Sequence, residues 1–150
     1  AFFSLETDKL TSISNGKSQI ELHTNTNEAF YQINENSEVQ GIITSDHLKI
    51  DLYQKGYVKL EGDTNSLALR ADSDTDFYGE KLKSNKTSVI VEGSSDCYVL
   101  IEEEITIDAK DKAEIYLLGE NPKITVNSFS NEVVLYKKKI NYSPSRLRLK

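Results

Sequence analysis

The chain has 150 residues, 37% of them hydrophobic, a formal net charge of −6, one cysteine and no methionine. That length suits a single domain with a real core. One cysteine excludes an intrachain disulfide and a cysteine-rich metal site, and no stretch approaches the roughly 18 apolar residues of a membrane span. The charge is uneven: residues 1–136 carry −12, whereas residues 137–150 carry +6 from Lys137, Lys138, Lys139, Arg146, Arg148 and Lys150. An acidic body argues against nucleic acid, because phosphate contacts need clustered Lys and Arg.

Period-two alternation rich in β-branched and aromatic residues predicts strands throughout, and no amphipathic helix of two or more turns is visible. Residues 1–47 are the least regular. Leu22 and Phe30 lie eight apart, but the next comparable pair starts 28 residues later. With Ile13, Ile20, Ile33, Val39, Ile42 and Ile43, this segment is predicted to form an irregular first coil, or cap, over the end of a stack.

From residue 48 to 137 the pattern repeats. Five apolar pairs are each eight residues apart: Ile50 and Val58, Leu69 and Phe77, Val91 and Val99, Ile107 and Ile115, Val126 and Val134. Successive pairs start 19, 22, 16 and 19 residues apart. Eight is even, so both members of a pair face the same side of a pleated chain. Small residues mostly fill the inward positions between them: Ala71, Gly93 and Ala109 after the first strand, then Gly56, Thr75, Cys97 and Ala113 before the second. Large residues inside on the strands, small ones inside at the corner and polar ones outside describe a coil of about 19 residues that buries its apolar face by stacking on its neighbours. The chain is therefore predicted to be one β-solenoid domain over 1–150: a cap over 1–47, regular coils over 48–137, and a tail or cap over 138–150.

Within those coils, the run Ile105-Thr106-Ile107-Asp108-Ala109 followed by Ala113 to Ile124, with its Gly119-Glu120-Asn121-Pro122 step, resembles the head GIN domain family of auto-transporter adhesins from bacteria. Leu48-Lys49-Ile50 resembles the strand that opens the family's repeats. The resemblance implies a right-handed, single-stranded parallel β-helix exported to the cell envelope, and it brings no catalytic motif. The usual Ser-Gly-Ser corner is replaced here by Asp72-Ser73-Asp74, Ser94-Ser95-Asp96 and Lys110-Asp111-Lys112. The start at Ala1 reads as a processed chain, with any signal or lipid anchor upstream.

Candidate chemistry is sparse. Asp72, Asp74 and Asp76 suggest a calcium loop, but an EF-hand would need glycine at position 77 and glutamate at position 83, where the chain has Phe77 and Lys83. Glu102, Glu103 and Glu104 are placed on a ridge with Asp51, Glu61 and Glu80, as paired carboxylates of a polysaccharide-cleaving β-helix would be. Cys97 reads as a packing thiol, and His23 and His47 as surface or cap residues. Tyr57, Tyr98 and Tyr116 each adjoin an inward position, so they are predicted to point outward as a stripe that either binds a partner or only stabilises the sheet. The expected function is a non-enzymatic surface binding module for a glycan or envelope protein, with no cofactor and no metal. A self-assembling scaffold and a polysaccharide-acting enzyme are the alternatives.

Overall fold

A computed structural model describes residues 2–120 and 122–138, with side chains for 4–120 and 122–137. Every regular element in it is a strand: β1 (Phe2–Ser14), β2 (Gln19–Ile33), β3 (Glu38–Leu52), β4 (Tyr57–Ala71), β5 (Asp76–Val91), β6 (Asp96–Ala109), β7 (Glu114–Leu118), β8 (Lys123–Phe129) and β9 (Val134–Lys138). All pairings are parallel and join each strand to the next turn of the chain, in the order β1 to β7 and then β9, with β8 on β6. The result is a β-solenoid of about 7 turns with a period of about 19 residues.

Tyr57 and Asp76 sit side by side on adjacent strands, yet 19 residues separate them, roughly 60 Å of extended chain at ~3.3 Å per residue. The long strands must therefore bend. Burial in β4 shows one bend: Leu60, Gly62 and Thr64 are buried, then the inward parity changes to Leu67, Leu69 and Ala71. Asn65 and Ser66 form the corner between them.

A sharper corner joins one strand to the next. At Asn34–Ser37 the Ser37 N–H donates to the Asn34 carbonyl (3.2 Å), and Glu35 and Asn36 have φ of 53° and 66°. Tyr53–Gly56 repeats this, with Gln54 at 52° and Lys55 at 68°. Two left-handed central residues make a type I′ turn, whose twist suits a tight reversal. Gly62 is required for another reason. Its φ is +122°, and a Cβ there would lie 2.0 Å from the Ile43 carbonyl oxygen of the coil below.

Two columns of the core carry the eight-residue pairing. One runs Ser12, Tyr31, Ile50, Leu69, Val89, Ile107, Val126, and the other Ile20, Val39, Val58, Phe77, Cys97, Ile115, Leu135. Steps along the first column are 19, 19, 19, 20, 18 and 19 residues. The eight-residue pairing holds through six coils, and Ile50, Val58, Leu69, Phe77, Ile107 and Ile115 are all buried.

Several sequence expectations change. Residues 2–47 are regular coils in full register; the pairs Ser12/Ile20 and Tyr31/Val39 continue the repeat, and polar Ser12 hid it. In the coil of β5 and β6 the stacking pair is Val89 and Cys97. Val91 and Val99 are buried two residues further along. The corner position given to Gly93 belongs to Val91, and the one given to Cys97 belongs to Ser95. Ser95 is buried and bonds Thr75 (2.9 Å). Val126 occupies its column but is 47% exposed, because no described coil covers it. Val134 pairs with Glu114 on the outer face; Val133 and Leu135 point inward instead. The tail predicted for 138–150 lies outside the described residues from 139 onward.

Candidate functional site

The tyrosine stripe is present and longer than predicted. In β4 to β6, Tyr57, Tyr78 and Tyr98 flank the inward residues Val58, Phe77 and Cys97, so alternation turns their rings outward. Tyr116 follows Ile115 and Tyr136 follows Leu135 in the same way. Ring centroids are 5.3 Å apart for Tyr57 and Tyr78, 5.1 Å for Tyr78 and Tyr98, 4.2 Å for Tyr98 and Tyr116, and 4.7 Å for Tyr116 and Tyr136. The last two pairs are stacked nearly parallel, at 5° and 9°. Strand register sets this spacing, since adjacent parallel strands lie ~4.8 Å apart.

The sequence pointed to Tyr57, Tyr98 and Tyr116 and missed Tyr78 and Tyr136. Tyr78 carried the same signal, as the neighbour of inward Phe77. Tyr136 was masked by the inward assignment of Val134, which gives it inward parity.

Stacking changes what the stripe can do. Tyr78, Tyr98 and Tyr116 each have rings on both sides. Their flat faces are spent on one another, and ring edges and hydroxyls are what they present to solvent. The Tyr116 hydroxyl donates to Glu114 Oε2 (3.3 Å).

Beside the tyrosines runs a second outward column that the sequence reading missed: Glu38, Tyr57, Asp76, Asp96, Glu114 and Val134 in register. Three carboxylates thus stack over three coils. Burial, then the neighbouring Asp74 charge, pushes the Asp76 carboxyl up. Asp96 is pushed up to about 6, first by burial, then by the hydrogen bond and charge of Glu114 and the charge of Asp76.

The predicted acidic ridge does not form. Glu102 pairs with Lys83 (3.3 Å), Glu104 lies between Lys86 and Lys123, Asp51 is followed by Arg70, and Glu61 lies between Ile42 and Lys81. Opposite charges interleave where a ridge was expected. The Asp72–Asp76 run also splits: Asp72 accepts from the Ser73 hydroxyl (3.3 Å), and Asp76 joins the strand column. Among the described residues no three His, Cys, Asp or Glu side chains converge as metal ligands.

The remaining single residues have structural surroundings. Cys97 is fully buried between Phe77 and Ile115, and burial pushes its thiol up, away from reactivity. His23 contacts Glu21 (2.8 Å), and His47 bonds Ser66 (2.7 Å). A depression at the strand-to-strand corners of the later coils is lined by Ser94, Asp111, Lys112, Ser130, Asn131 and Glu132. Its two carboxylates are engaged: Asp111 accepts from the Gly93 N–H (3.1 Å), and Glu132 faces Lys112 (4.0 Å).

No curated protein and no solved structure matches the chain. The family described as "putative auto-transporter adhesin, head GIN domain" matches residues 2–121, which span the coils from β1 through β7 and most of the tyrosine ladder. On that match over most of its length, the chain belongs to the head GIN domain family.

Proposed function

We propose that this domain is a non-enzymatic binding module of the bacterial cell surface or envelope, and that the tyrosine ladder is its contact face. The ladder carries the reading: Tyr78, Tyr98, Tyr116 and Tyr136 line one outer column of the solenoid, Tyr57 extends it diagonally from the adjacent column, and each is half-buried or exposed. The family's description as an adhesin head supports it. Tyr57, Tyr98 and Tyr116, joined by Tyr78 and Tyr136, offer a row of hydroxyls at one per coil. Such a row suits a hydroxyl-rich glycan or an extended protein segment held by repeated hydrogen bonds. It suits sugar rings stacked flat on tyrosine less well, since the inner ring faces are covered.

A glycan and envelope-protein binding screen tests this, run with the wild-type domain and a Tyr78→Phe/Tyr98→Phe/Tyr116→Phe variant. The variant keeps the ring stack and removes three hydroxyls. Binding weakened at least tenfold with an unchanged melting temperature supports the reading. A ligand held equally well by both proteins places the contact elsewhere, and a screen with no ligand removes the module's stated role.

The scaffold reading has one observation in its favour. Exposed apolar side chains gather at the first and last described coils: Leu5 and Ile13 at one end, Val126, Phe129 and Val134 at the other. Light scattering across a concentration series separates the two, because end-to-end assembly grows with concentration and a binding module stays at fixed mass.

A further inference from the structure

We infer that the stacked carboxylates Asp76, Asp96 and Glu114 form a proton-responsive seam, holding a shared proton in mild acid and releasing it toward neutrality, so that the solenoid is more stable near pH 5 than near pH 7.5. The geometry comes from register. Asp76 lies directly opposite Asp96, and Asp96 directly opposite Glu114. Each sits at the head of its strand, anchored by its own backbone: the Asp76, Asp96 and Glu114 N–H groups donate to the carbonyls of Gly56, Thr75 and Ser95 at 3.0, 3.0 and 2.9 Å. The backbones cannot separate without breaking that ladder, and like charges directly opposite on adjacent strands repel.

The groups facing the seam do not relieve it. From β4 and β5 it meets Tyr57 and Tyr78, from the preceding corner Asp74, from β6 and β7 Tyr98 and Tyr116, and from β9 Val134 and Tyr136. Glu38 lies one coil further down. Among the described residues no ion pair reaches Asp76, Asp96 or Glu114. The Tyr57 and Tyr78 hydroxyls are held above their ordinary range, by burial first and then by these carboxylates. A proton between Asp96 and Glu114 turns the repulsion into a hydrogen bond.

The direction of the pH effect follows. In the unfolded chain Asp96 titrates near ~3.9; in the fold it titrates near about 6. Between those values the folded state binds more protons, so stability falls as pH rises. The loss begins above the unfolded value and is complete once pH has passed the folded one.

Urea denaturation of the wild-type domain at pH 5 and pH 7.5 should give a lower midpoint at pH 7.5. Asp96→Asn should raise the pH 7.5 midpoint and flatten the difference. Glu103→Gln, which removes the same charge from an exposed corner, should leave the difference in place. A carbon-detected NMR titration of the wild type should show the Asp96 carboxyl changing state near pH 6. A flat or reversed wild-type pH dependence overturns the proposal. So does equal flattening by Glu103→Gln, which would assign the effect to net charge, and so does an Asp96 carboxyl that titrates near 4. None of these readouts depends on the binding role of the tyrosines.

Discussion

The middle coils and the last described coil carry the same kind of sequence and have different fates. Ile107 is 0% exposed and Val126, one step along the same column, is 47% exposed. Phe77 is fully buried, whereas Phe129 is 42% exposed. Nothing in the side chains accounts for this. Most solenoid residues need coils on both sides for full burial, so the contrast between these pairs belongs to position in the stack.

The largest test of that contrast is truncation of one residue from each region. Phe77→Ala should cost about 3–5 kcal/mol, the usual range for a buried aromatic residue, whereas Val126→Ala should stay within about 0.5 kcal/mol. Urea denaturation of both variants measures the difference. Equal losses would mean that the last coil is packed as tightly as the middle.

Glycines sharpen the contrast through the backbone. Gly62→Ala drives a Cβ into the Ile43 carbonyl of the neighbouring coil and places alanine at φ +122°. It should cost about 3 kcal/mol, the upper end for a strained backbone site. Gly16 also has positive φ, +68°, but a Cβ there meets nothing within 4 Å. Gly16→Ala should cost only about 1 kcal/mol, the local left-handed penalty. Melting temperatures of the two variants report the gap.

The tyrosine ladder divides in the same way. Tyr98→Ser removes two stacked contacts and Tyr136→Ser removes one described contact. At ~0.5–1.5 kcal/mol per aromatic pair, the first should cost about 2 and the second about 1 kcal/mol. Equal losses would show that the rings stand independently.

The eight-residue pairing made the solenoid legible, because a period-two strand with a fixed corner leaves a fixed arithmetic in the chain. The same arithmetic explains the misreadings. Val89/Cys97 and Val91/Val99 are both apolar, both eight apart and both inward, so alternation cannot tell them apart. Only the hydrogen-bond register, which no single side chain encodes, puts Val89 on Leu69. Val133-Val134-Leu135 offers three apolar residues in a row, and an inward choice of the middle one turned Tyr136 the wrong way. The carboxylate seam was out of reach for a related reason. Asp76, Asp96 and Glu114 are 20 and 18 residues apart, and each looks like ordinary corner charge until register stacks it.

The smallest effect compares two polar columns. At the outer corner, Asn65 donates to Asp46 (3.1 Å) and Asn85 donates to Asn65 (2.9 Å); below them Asn27 donates to Asp8. Here amides separate the carboxylates, and each contact is a hydrogen bond between exposed groups. In the seam, carboxylates sit directly on carboxylates. Asn65→Asp converts the first arrangement into the second, placing a new charge against Asp46. The cost should be about 0.5–1 kcal/mol, since the corner is solvated and the lost hydrogen bond is worth about that much. Denaturation midpoints at low and high salt give the check. Raising the salt should recover part of the Asn65→Asp loss, because exposed like charges are screened. It should leave the pH dependence of the half-buried seam largely in place. If salt erased both equally, partial burial would not be what distinguishes the seam, and the two columns would differ only in which residues happen to occupy them.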